Sequence, residues 1–85
     1  MDGSMSIKDM RDAFQAGLGK SAQVTCLMMC SHKETGGHEI TATYLKPRDG
    51  AVLALKVIAP GTEPNGAMRA WGEEIAKGLE GEDVD

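Results

Sequence analysis

Four side chains able to bind a metal or take part in nucleophilic chemistry fall between positions 26 and 38: Cys26, Cys30, His32 and His38. A zinc site needs its ligands to converge on one ion, and paired cysteines do so from tight turns. Cys26 and Cys30 are four residues apart in a stretch that reads as a strand, which separates them by about 13 Å. That is too far for a shared ion or a disulfide. The spacing therefore predicts two reduced thiols packed as small core residues, with no metal and no cofactor. A catalytic reading needs a base held in place by a third group. No acid stands at a spacing that would orient His32 or His38, so no catalytic residue is expected and the chain reads as non-enzymatic. A small Cys/His metal-binding protein is an alternative reading of the same residues.

Gly19-Lys20-Ser21 has the ending of a phosphate-binding loop. The motif requires a glycine five residues before Gly19, where this chain has Phe14. It also requires a strand before and a helix after, and the order here is the reverse. Nucleotide binding is not expected.

The elements that would position these residues are legible from periodicity. Ser6 precedes Ile7, Met10, Phe14 and Leu18 at helical spacing, and Gly17 and Gly19 close the run. This predicts a helix over about 6–18, with Met5 stapled onto Met10. Strand one is expected from Ala22 to about Cys30, with Val24, Cys26, Met28 and Cys30 on its inner face. A polar, glycine-rich loop follows over 31–37. The clearest signal is a hairpin: 38–46, the turn Pro47-Arg48-Asp49-Gly50, then 51–58. An even-numbered loop pairs Tyr44 with Leu53, Ala42 with Leu55 and Ile40 with Val57 on one apolar face. A slip by one residue would put Lys56 there, which burial penalises. Pro60-Gly61 ends the third strand. Thr62 or Asn65 is expected to cap a second helix, with Pro64 in its first turn and Glu63 at the positive end of its dipole, and its stripe is Met68, Trp71, Ile75 and Leu79. Trp71 is expected to anchor that helix on the sheet, with Gly72 permitting close approach.

The fold class predicted is α+β: α-β-β-β-α, a three-stranded antiparallel meander with both helices packed on one face. The 85 residues suffice for one domain, placed at 6–79. Residues 1–5 read as a cloning remnant and an unstructured start, and 80–85 as an acidic tail that frays. No apolar run approaches the ~18–20 residues needed to span a membrane, and no secretion signal is visible. A cytoplasmic protein is expected.

The formal charge is −4 and unevenly distributed. Residues 63–85 hold seven acids against two bases, and 1–62 hold six acids against seven. An acidic chain is poorly suited to a phosphate backbone, so no nucleic-acid partner is expected.

With both helices on one side, the other sheet face lacks cover from its own chain. Its expected members include Leu27, Met29, Leu45, Val52 and Ile58, more apolar than a merely solvated face. These residues, flanked by Glu73 and Glu74 of the second helix, are the predicted partner-binding set. The partner is a second copy or a foreign protein with a basic surface.

Two resemblances bear on function. The α-β-β-β-α order over about 6–79 resembles the double-stranded-RNA-binding domain, and Gly36-Gly37-His38 resembles that family's Gly-Pro-x-His loop. The resemblance implies a nucleic-acid-binding module as the competing function. That family opens its second helix with Lys-Lys-x-Ala-Lys, whereas Gly66-Ala67-Met68-Arg69-Ala70 here carries one base. The same topology, small size and acidic second helix also resemble small phage-encoded anti-CRISPR proteins. That resemblance implies a compact, non-enzymatic inhibitor of a nucleic-acid-handling complex.

Overall fold

The computed structural model describes residues 6–48 and 50–83. The expected remnant at 1–5, the Met5 staple and the final residues 84–85 lie outside these. The elements run α1 (Ile7–Leu18), β1 (Gln23–Ser31), β2 (His38–Lys46), β3 (Gly50–Ile58) and α2 (Pro64–Asp83). The strands form one antiparallel sheet in the order β1-β2-β3, and both helices lie on the same side of it. The α+β meander is as predicted.

Local chemistry explains the helix ends. The Ser6 hydroxyl accepts from the Asp9 amide at 3.2 Å, capping α1. Gly19 closes α1 with a positive φ of +61°, a backbone conformation that costs glycine little, and its amide donates to the Gln15 carbonyl. At α2 the cap is neither Thr62 nor Asn65. The Glu63 carboxylate accepts from the amides of Asn65 (3.0 Å) and Gly66 (2.6 Å), placing negative charge at the positive end of the helix. The helix then continues to Asp83, past the expected end at 79. The sequence read as a fraying tail is thus mostly a further turn of α2.

The core forms where the helical stripes meet the inner sheet face. Met10, Phe14 and Leu18 of α1 and Met68 and Trp71 of α2 pack with Val24, Leu27, Ile40, Ala42, Tyr44 and Ile58. Phe14 stacks on Trp71 with ring centres 4.8 Å apart and meets Tyr44 edge-on at 6.3 Å. Trp71 is buried as expected. Gly72 does permit close approach, but to α1 rather than to the sheet: an added Cβ would run into the Phe14 carbonyl oxygen. Gly17, expected only to help end α1, is the matching point on the other helix.

Candidate interaction face

Two local irregularities decide which side chains face outward. The first is in β1. Val24 pairs with Tyr44, but the next pair is Cys26 with Thr43, so Thr25 is an extra residue in the strand. The Thr25 hydroxyl donates to the Thr43 carbonyl at 3.1 Å across this bulge. Beyond it the alternation inverts. Leu27 is buried and Met29 half-buried on the helix side, while Cys26, Met28 and Cys30 turn outward. The expected inner face of β1 is therefore correct only at Val24. The thiols are exposed, not core.

The second irregularity is the β2–β3 turn. Lys46 pairs with Gly50, leaving three intervening positions rather than an even number. Gly50 takes φ +85°, which suits a glycine ending an odd-length hairpin loop. This shifts the register by one from that expected. Tyr44 faces Val52, Ala42 faces Ala54 and Ile40 faces Lys56. The slip judged costly is the one adopted.

Lys56 is accommodated because β3 is an edge strand at the margin of the helix layer. It is only half-buried, in an open cleft of about 320 Å³ between β3 and α2 that Trp71, Ile58 and Glu74 also line. An aliphatic stem can lie along such a wall while the ammonium reaches water.

These shifts overturn much of the predicted contact set. Leu27 and Ile58 are buried, and Met29 and Val52 are half-buried on the helix side, so they form core rather than surface. Leu45 remains outward and exposed. Glu73 and Glu74 are exposed on α2, on the helix side of the sheet; Glu73 pairs with Arg69 at 3.5 Å and Glu74 lines the β3–α2 cleft.

The outer face that results is an ordered grid. Its rows across β1, β2 and β3 are Cys26–Thr43–Leu53, Met28–Thr41–Leu55 and Cys30–Glu39–Val57. Leu53, Leu55 and Val57 are 67%, 62% and 66% exposed, and Met28 is 59% exposed. The one charged member of the grid is Glu39, whose carboxylate lies 3.5 Å from the His32 ring. Sequence reasoning missed Leu53, Leu55, Val57 and Met28 because it placed them inside. For the three β3 residues the available signal was the glycine at position 50, whose preference for positive φ favours an odd loop; Met28 is turned out by the Thr25 bulge, which has no such marker.

Of the residues first considered for chemistry, Cys30, His32 and His38 lie at one end of this sheet, while Cys26 lies two rows away beside Thr43. The Ser31 hydroxyl and His38 Nδ1 are 3.0 Å apart, both at the surface, and His32 meets Glu39. The loop between them is closed by backbone bonds from His32 to the Gly37 carbonyl and from Gly36 to the His32 carbonyl. Among the described residues no carboxylate holds the second ring nitrogen of His38, and no three metal-ligating side chains converge. No helix among them is long and apolar enough to cross a membrane. Comparison with protein-family models, curated proteins and solved structures finds no match to this chain.

Proposed function

We propose that this chain is a non-enzymatic protein-interaction domain whose working surface is the outer face of its sheet. One observation carries this reading. Leu53, Leu55 and Val57 are more than 60% exposed, side by side on β3, although the alternative hairpin register would have buried them. A small domain gains stability chiefly by burying such side chains. Sequences depart from that rule mainly where a surface has work to do. Contiguous apolar surface of this kind marks contact with another macromolecule more often than simple solvation.

In its narrower form the domain is an acidic inhibitor of a nucleic-acid-handling complex, as the anti-CRISPR resemblance implies. The support is the −4 charge and the exposed Glu73 and Glu74, which lie on the helix side, away from the apolar face. Substitution separates the two surfaces. Leu53→Glu with Val57→Glu should abolish protein contacts made by the sheet while leaving the circular dichroism spectrum intact. Glu73→Lys with Glu74→Lys should abolish capture of a basic partner alone. If the first pair alters neither self-association nor any bound protein, the interaction reading fails.

A further inference from the structure

We infer that the outer sheet face is covered by a second copy of this chain, packed face to face about a two-fold axis running across the strands. The inference rests on the reading of that face as a contact surface and names its occupant.

The edges of the sheet are guarded and the face is not. Edge strands avoid pairing with other chains through bulges and inward-pointing charges. The β1 edge carries the bulge at Thr25, and the β3 edge carries Lys56 turned toward the helix side. Growth of the sheet by edge pairing is thus opposed at both ends. The outer face carries no base within the grid and one acid, Glu39. A sheet face of this kind is covered in folded proteins by packing on another sheet.

Charge selects the occupant and the axis. A chain of formal charge −4 can self-associate only through a surface where its own acids do not meet. A foreign basic partner would need acids on this face, and it offers one, already beside His32. An axis across the strands through the Met28–Thr41–Leu55 row lays Leu55 on Leu55 and Met28 on Met28 of the second copy. It lays Leu53 on Val57, and Cys26 on Cys30. It also lays Glu39 on Thr43, so the two carboxylates are kept apart. An axis along the strands would set Glu39 against Glu39. Each strand has nine residues, so the face is about 30 Å by about 14 Å. Its protruding side chains make the accessible area larger than this projection, of the order of the ~800 Å² per partner typical of specific interfaces.

The test is sedimentation velocity on the 85-residue chain, with substitutions read for charge sign. Wild type should sediment at tens of micromolar with twice the 9.0 kDa chain mass. Leu55→Glu should sediment as a folded monomer. Thr43→Glu should weaken the dimer by about tenfold or more, and Thr43→Lys should retain it, because position 43 faces Glu39 of the second copy. A short bismaleimide should join a Cys26→Ser chain to a Cys30→Ser chain when the two are mixed, and neither variant to itself. Monomeric wild type overturns the second copy as occupant, as does a dimer indifferent to Leu55→Glu or to the sign of charge at position 43. A monomer that captures a foreign protein through Leu55 would overturn this inference while leaving the interaction reading in place.

Discussion

Gly17 of α1 and Gly72 of α2 face each other across the helix crossing, and neither has room for a side chain. A Cβ at Gly17 would collide with the Arg69 carbonyl oxygen, and one at Gly72 with that of Phe14. The obstructing atoms are backbone, so a rotamer change cannot relieve the clash. Gly72→Ala should therefore destabilise the fold by ~1–3 kcal/mol or more, despite the better helix propensity of alanine. Chemical denaturation of the variant against wild type measures this.

Gly78 is the internal control for that argument. It lies in the same helix, exposed, with open space where a Cβ would stand. Gly78→Ala should stabilise by up to ~1 kcal/mol, since only the helix-propensity term remains. A loss of stability in that variant would contradict the account of both positions.

Trp71 is 6% exposed and stacked on Phe14, and it also forms one wall of the β3–α2 cleft. Trp71→Ala should cost ~3–5 kcal/mol in thermal or denaturant unfolding. A midpoint equal to that of wild type would show that the helix layer is held some other way.

Gln15 fixes the start of β1 from α1. Its Nε2 donates to the carbonyls of Gly19 (3.1 Å) and Ala22 (2.9 Å), while its Oε1 accepts from the Val24 amide at 2.8 Å. Gln15→Leu leaves the partly buried Ala22 carbonyl and Val24 amide without this partner, at a cost of ~1–3 kcal/mol. Amide exchange at Val24 should accelerate more than at Ile40 in the sheet centre. Equal protection at both sites would remove the clip from the account.

Lys56 guards the β3 edge in this fold. Lys56→Val should raise the midpoint of unfolding, because the inner face of β3 becomes wholly apolar, and should also produce assemblies larger than a dimer. Light scattering across a concentration series distinguishes a soluble, more stable monomer or dimer from edge-driven growth.

Elements governed by short-range chemistry were readable from residues alone. Ser6 and Gly19 bracket α1 because capping involves residues three or four apart. The stripe Met68–Trp71–Ile75–Leu79 specifies the buried side of α2 by its spacing. Three strands joined by short connections specify a meander, since adjacent antiparallel strands need no crossover. The helix-binding face of β2 was likewise legible in Ile40, Ala42 and Tyr44.

What only the tertiary structure decided is which faces of β1 and β3 go inside. Both faces of β3 are largely apolar, so alternation with period two does not choose between them, and Lys56 was the sole polar marker. Its location on an edge strand, beside an open cleft, lowers the burial penalty that would have made it decisive. The Thr25 bulge left no mark in the alternation of residue types, because Cys26, Leu27, Met28 and Met29 are apolar on either side. The Gly17–Gly72 contact joins residues 55 positions apart, and its cause is the approach of two backbones rather than any local preference. The candidate site sat where the pattern was degenerate, so long-range packing and one glycine turn determined which apolar side chains reached the surface.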